Sequence, residues 1–445
     1  VAADAALMAV HTGAGGRPVT VVGIGADGLD GLAPASRRLL EAAPAVYGGP
    51  RQLELVRSLG VPTVPWPSPL LPALPGLVEE IADTGAVVLA SGDPMFHGIG
   101  STLARLVGPA RLRVHPAPSS ASLAAARTGW PLAGLEVHSC VTAHPSVVLR
   151  DAREGARCLV LCRDRTTPAA LAAELRDAGL GASRLWVLSE LGGPDESRHE
   201  TTARELVDRQ AAGAEPGWAD LCVVAVETAS APGEVARDAA GPAPGLPDGA
   251  YVSDGQLTKS VQRAAAVSAL RPAPGLLLWD IGGGTGTVGI EWMRCAPGAR
   301  CVGVERNPAR AEHIRLNARR LGVPGLEVVT GTAPDALRGR TERPDAVFVG
   351  GGATVDGLLD ICWDALLPGG RLVVAGVTAE TEALLLDWRA RHGGELTRLG
   401  VEHAEALGRY TGWRPDRTVV HLVCRKPIPA PGRERDHHQG EDHPA

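Results

Sequence analysis

The stretch DIGGGTGTVGIE, Asp280 to Glu291, sets an acidic residue against a run of glycines and satisfies two ligand-binding registers at once. Gly284-x-Gly286-x-x-Gly289 fits the dinucleotide fingerprint, in which glycines let a pyrophosphate approach the backbone. Asp280-x-Gly282-x-Gly284-x-Gly286, with Gly283 and Thr285 between, ends a strand on an acid and wraps the backbone around a bulky ligand. S-adenosylmethionine carries no pyrophosphate and has a positive amino acid head, so its site favours a carboxylate at the strand end over an anion hole. Glu305, closing the next strand in CVGVERNP, stands where an acid receives ribose hydroxyls, a feature both cofactors share. VVTGTAPDAL, with Ala333, follows as a polar loop for the adenine, and RPDAVFVGGG reads as a fourth strand ending at a substrate mouth. The ordered set favours S-adenosylmethionine. A second constellation lies far upstream: Gly23 and Gly25 in VVGIG, Gly92 and Asp93 in LASGDPMFHGIG, and Ser119 and Ser120 in PAPSSASL. The glycines permit close approach of a ligand, and the serines both cap a helix and offer hydroxyls.

Positioning two such sets requires two α/β units. Short Val/Leu/Ala-rich runs alternate with amphipathic Arg/Glu/Leu segments along the chain, as expected for strands in parallel sheets and the helices that cross between them. In the first half the strands are VTVVGIG, AVVLAS, RLRVHP, CLVLC, RLWVLSE and LCVVAVE; in the second, GLLLWDIG, RCVGVER, LEVVTG, DAVFVGG and GRLVVAGV. The Pro/Gly/Ala-rich segment 229–249 breaks the alternation and reads as a linker. Residues 427–445, polar with Pro and His, read as a disordered tail. The expected domains are 18–228 and 250–426.

Composition narrows the function classes. The chain has 445 residues, 44% apolar and 21% charged, with a net charge of −6, so it carries material for two cores and no basic field for nucleic acid or an anionic membrane. Only Lys259 and Lys426 are lysines among 44 basic residues. The eight cysteines show no CxxC and no metal-ligand spacing, which predicts no metal site and a reducing, cytoplasmic setting. No apolar run approaches the length of a membrane span.

SDGQLTKSVQRAAAVSALRPAPGLLLWDIGGGTGTVGIE with GTAPDALRGRTERPDAVFVGGG resembles the decarboxylating precorrin methyltransferases of cobalamin biosynthesis over residues 253–425. The resemblance implies a Rossmann-like class I fold and S-adenosylmethionine contacts from Thr258, the Gly282–Gly286 loop, Glu305 and Ala333. VVGIGADGLDGLAPASRRLL, LASGDPMFHGIG, PAPSSASLAAARTGWPL and TTPAALAAELRDAGLG look like the tetrapyrrole methylase family, in particular precorrin methylases acting at carbon 5, over about 18–228. That family implies two small α/β lobes with S-adenosylmethionine between them, and Gly23, Gly25, Gly92, Asp93, Ser119 and Ser120 as its neighbours.

The two resemblances together imply a bifunctional enzyme that methylates precorrin-6B at carbons 5 and 15 and decarboxylates its carbon-12 acetate arm, giving precorrin-8. Methyl transfer from a sulfonium needs positioning and exclusion of water more than a strong base, so no acid–base pair is singled out. The substrate's carboxylates call for local cations, with Lys259 and Arg263 the candidates in the second half. His97 is the candidate for the substrate in the first. A homo-oligomer is expected, with no nucleic acid or membrane partner. Two other readings stay open: a two-site methyltransferase on another substrate, such as RNA, and one half acting only as a regulatory S-adenosylmethionine-binding module.

Overall fold

The computed structural model describes residues 17–230 and 241–429. The expected tail from 430 onward and residues 231–240 of the expected linker lie outside the described residues. Two compact units make up the chain, the first comprising the residues up to Gly241 together with Arg319–Pro324, the second Pro242–Ala318 and the residues from Gly325 onward.

The first unit contains two sheets. β1 (Val19–Ile24), β2 (Val46–Gly48), β3 (Thr63–Pro65), β4 (Val87–Ser91) and β5 (Leu112–His115) form a parallel sheet in the order β3-β2-β4-β1-β5. Alternation along β1 sends Val19 and Val21 into a cluster with Ile81, Val88 and Leu103, while Val22 and Ile24 pack with Leu40, Leu53 and Leu89. Both faces are therefore buried, which is why β1 reads as a continuous apolar run. β6 (Glu136–Ser139), β7 (Arg157–Leu161), β8 (Arg184–Ser189), β9 (Ser197–Thr202) and β10 (Cys222–Glu227) form the second sheet in the order β6-β7-β10-β8-β9.

This second sheet departs from the parallel expectation. Only β6 and β7 run parallel; β10 is antiparallel to both β7 and β8, and β8 to β9. A short loop joins β8 to β9, and a connection of that kind closes a hairpin but cannot make a parallel crossover. β9, SRHETT, escapes an apolar-run reading because it is a polar edge strand.

The second unit is built on β11 (Leu277–Ile281), β12 (Arg300–Glu305), β13 (Glu327–Thr330), β14 (Ala346–Val349), β15 (Arg371–Gly376), β16 (Glu395–Leu399), β17 (Glu402–Leu407), β18 (Tyr410–Pro415) and β19 (Val419–Arg425). Seven strands form one sheet in the order β13-β12-β11-β14-β15-β19-β16, parallel through β15, with β19 antiparallel to both its neighbours. β17 and β18 make a separate hairpin. Trp279 and Ile281 of β11 face a core that includes Val302, Val347, Val374, Leu385 and Trp388. Asp280, between them, faces the other side, toward the helix Thr287–Cys295.

A buried polar network fixes the start of this unit. The Glu291 carboxylate, 1% exposed, accepts from the Gly245 and Leu246 N–H groups, the Tyr251 hydroxyl and Arg263 Nε. The opening segment is thereby tied to helix Thr287–Cys295, although no apolar periodicity marks it in the sequence. Asn317 makes a second tie: its Oδ1 accepts from Val252 N–H at 2.8 Å, and its Nδ2 donates to Val252 O and Thr285 O.

Candidate functional sites

A cavity of about 690 Å³ opens at the carboxyl ends of β11, β12, β14 and β15, in the size range of sites for small ligands. Gly282, Gly283 and Gly284 form one wall, Glu305 and Arg306 another, Gly331 to Ala333 a third and Gly350 to Gly352 a fourth. The loop Gly255–Lys259, ahead of helix Ser260–Leu270, closes the site and carries Thr258 and Lys259 to it. Asp416 and Arg417, between β18 and β19, complete the rim.

The glycine wall has a steric cause. Gly282 sits at φ +69°, and a Cβ there would lie 2.8 Å from Gly351 O and 2.9 Å from its nitrogen. Two loops at neighbouring strand ends thus touch through their backbones, and the groove between them stays open. Gly284 donates its N–H to Glu305 Oε2 at 2.9 Å, and Asn307 N–H donates to Oε1 at 2.8 Å. Each carboxylate oxygen keeps acceptor capacity, which suits the two vicinal hydroxyls of a ribose. The glycine groove, this carboxylate and the polar Thr332 loop fit S-adenosylmethionine.

Three residues expected at this ligand stand behind the wall instead. Asp280 is 2% exposed; its Oδ2 accepts Gly289 N–H at 2.9 Å, and its Oδ1 has no partner. The strand's alternation, which turns Trp279 and Ile281 to one face, turns Asp280 under the helix on the other. Burial, reinforced by nearby Glu305 and opposed by the Gly289 hydrogen bond, raises its carboxyl to about 7. Thr285 is 1% exposed, and its carbonyl takes the Asn317 amide. Gly286 precedes the first turn of helix Thr287–Cys295 and packs on Ile314.

The expected substrate cations also separate. Lys259 reaches the cavity, its Nζ 3.3 Å from Asp248. Arg263 does not: it is fully buried, with Nε on Glu291, Nη1 on Thr258 O and Asp248, and Nη2 on Leu246 O. Its donors are consumed inside the protein, so it anchors the closing loop rather than meeting a substrate. Arg306 and Arg417, missed by the sequence reading, line the cavity without a carboxylate partner among the described residues.

In the first unit a second cavity, of about 360 Å³, is lined by residues of both sheets, among them Gly25, Leu89, Gly92 and His97 from the first and Leu161, Leu188 and Val223 from the second. Ser120 lines it as well. Gly23 does not; a Cβ there would lie 2.0 Å from Gly92 O, so its role is to let the β1 and β4 ends meet. Asp93 and Ser119 likewise support the wall from behind. Asp93 Oδ1 accepts Met95 N–H at 2.8 Å, shaping the loop, and Ser119 Oγ caps helix Ser120–Thr128 by accepting Ser122 N–H at 3.1 Å. His97 sits at φ +54° with its ring edge-on to Phe96 at 4.8 Å. Arg51 and Gln52, which sequence reading did not single out, also line the cavity, as does Cys162.

Among the described residues no cluster of three or more His, Cys, Asp or Glu side chains is placed to hold a metal, and no helix is long and apolar enough to cross a membrane.

Each unit matches a different family model. Residues 18–207 match the tetrapyrrole (corrin/porphyrin) methylases, and residues 249–426 the precorrin methyltransferase domain. The chain is 44% identical over 406 residues to a precorrin-6Y C(5,15)-methyltransferase (decarboxylating) of a Sinorhizobium species, covering 90% of this chain and 95% of the relative. It is 42% identical over 422 residues to the protein of that name from Mycobacterium tuberculosis, covering 92% of this chain and all of the relative. A cobalt-precorrin-6B C(15)-methyltransferase (decarboxylating) of Salmonella typhimurium is 32% identical over 174 residues, covering 38% of this chain and 89% of the relative. With these cavities in these two units, and identity running through both, the chain belongs to the family of decarboxylating precorrin-6Y C(5,15)-methyltransferases.

Proposed function

We propose that the chain catalyses two S-adenosylmethionine-dependent C-methylations and one decarboxylation on a precorrin in cobalamin biosynthesis. The first unit, 18–228, methylates carbon 5; the second, 250–426, methylates carbon 15 and removes carbon dioxide from the carbon-12 acetate arm. The supporting observation is two glycine-walled cavities, one in each unit, in a chain that matches two different methyltransferase families. The cofactor supplies an electrophilic methyl group on a sulfonium. Ring carbons of a partly reduced tetrapyrrole are the nucleophiles, so the protein's task is orientation and dryness.

In the second unit the Gly282–Gly284 groove and the Glu305 carboxylate hold the nucleoside, and the Gly255–Lys259 loop covers it. Arg306 and Arg417 meet substrate carboxylates in the role first given to Arg263, with Lys259 beside them. In the first unit Gly25, Gly92 and Ser120 shape the cofactor wall, and His97 faces the substrate. Decarboxylation breaks the bond to the carboxylate carbon and leaves its electron pair delocalised in the ring's conjugated system, and a proton taken up from water then completes the methyl group; the residues around the acetate arm hold and desolvate the carboxylate.

The reaction takes place in the cytoplasm on a free small molecule, and the chain self-associates. Leu407, Tyr410 and Trp413 of the β17–β18 hairpin, each about two-thirds exposed, offer an apolar surface for a second copy. Incubation of the purified chain with precorrin-6B and S-adenosylmethionine should give a product that has gained two methyl groups and lost one carbon dioxide. A product with a single methyl and an intact acetate arm would remove the second unit's assignment.

A further inference from the structure

The wall of the first-unit cavity contains a corner rich in hydrogen-bond donors. Ser91 ends β4, beside Gly92, and its Oγ accepts from Arg51 Nη2 at 2.8 Å and from Gln52 Nε2 at 2.7 Å. Those two bonds occupy both lone pairs of the hydroxyl, so Ser91 has only its own hydrogen left to offer. Arg51 has further guanidinium N–H groups, and Gln52 has a second amide hydrogen. All three residues line the cavity.

The charge of this corner is unbalanced. Arg37, Arg57, Arg111 and Arg127 of the same unit each hold a carboxylate. Arg51 has none within ion-pair distance among the described residues. Glu190 acts on it only through its field, while burial pushes its guanidinium below the ordinary arginine value. A partly desolvated guanidinium without a counter-ion is costly, and a planar carboxylate matches its fork with two parallel bonds. A cation or a neutral apolar group would gain nothing here.

We propose that Arg51, Gln52 and Ser91 form a carboxylate-binding cradle in the first-unit cavity, an assignment that rests on the methyltransferase reading above. Two sources share the chemistry: an acetate or propionate arm of the tetrapyrrole, and the amino acid carboxylate of S-adenosylmethionine.

The test uses the full chain carrying Arg51→Ala, Arg51→Lys or Gln52→Glu. S-adenosylmethionine binding is measured by calorimetry, and carbon-5 methylation by mass spectrometry at varied tetrapyrrole concentration. Loss of hydrogen bonds to a charged group is worth about 10- to 100-fold in binding. If the arm is the tetrapyrrole's, Arg51→Ala raises its KM by about that factor with kcat retained, and cofactor affinity holds. If it is the cofactor's, first-site affinity falls by that factor while the tetrapyrrole KM at saturating cofactor holds. Arg51→Lys, which keeps the charge without the fork, recovers part of the loss, and Gln52→Glu weakens the same constant through repulsion. Second-site cofactor affinity serves as the folding control. A folded Arg51→Ala protein that keeps both constants within twofold overturns the cradle. Wild-type protein that methylates no tetrapyrrole strikes the functional reading instead; unchanged first-site cofactor affinity in Arg51→Ala would then remove the cradle as well.

Discussion

Arg263→Met separates the two roles that arginine has been given. The guanidinium is fully buried and its partner Glu291 is 1% exposed, so removing the cation leaves a carboxylate in the interior held only by two backbone N–H groups and the Tyr251 hydroxyl. The Leu246 and Thr258 carbonyls lose a donor at the same time. Breaking a buried pair from one side costs about 3–5 kcal/mol. In a unit of this size each kcal/mol moves the midpoint by about 2–4 °C, so the second unit should melt about 6–20 °C lower. The assay is thermal unfolding of the full chain followed by near-ultraviolet circular dichroism, with the double variant Arg263→Met/Glu291→Leu measured alongside. That variant, with no orphaned charge, should regain a large part of the loss. A midpoint within 2 °C of wild type, together with a raised tetrapyrrole KM, would refute the buried-anchor role and return Arg263 to the substrate.

Other outcomes follow from the same geometry. Gly282→Ala forces a side chain into a left-handed backbone against Gly351, so S-adenosylmethionine binding should be lost in the second unit and kept in the first, as calorimetry on the full chain would show by halved stoichiometry. Asp280 carries a folded-state value of about 7 against 3.8 unfolded, so its contribution to stability is complete below about pH 4 and is lost as the pH rises to 7. Relative to Asp280→Asn, the wild-type second unit should lose about 1.4 kcal/mol per pH unit across that window in urea denaturation; parallel stability curves would refute the burial argument. Trp413→Asp should shift sedimentation toward the monomer, and an unchanged profile would show that the hairpin is not the self-association surface.

Much of the second-unit site was legible because its signals are local. Gly282, Gly283 and Gly284 follow a strand immediately, Glu305 ends the next, and the alternation of apolar runs and amphipathic helices located both in the chain. The same local reading failed at Asp280, Thr285 and Gly286, which have the right spacing but point behind the wall. It failed at Arg263 for a different reason: the partners that consume it, Glu291 and Leu246, lie 28 residues later and 17 residues earlier.

By itself, the sequence determined that there are two α/β units, which strand ends carry the glycine loops that line the cavities and which families they resemble, because periodicity and glycine spacing act within a few residues. Tertiary structure decided which face of each strand a side chain occupies, the antiparallel course of the second sheet, and the meeting of Arg51 with Ser91 across 40 residues of chain. Those depend on long-range packing and on which buried polar groups find partners. No local pattern encodes whether an arginine's charge is already neutralised inside the protein or left facing a cavity.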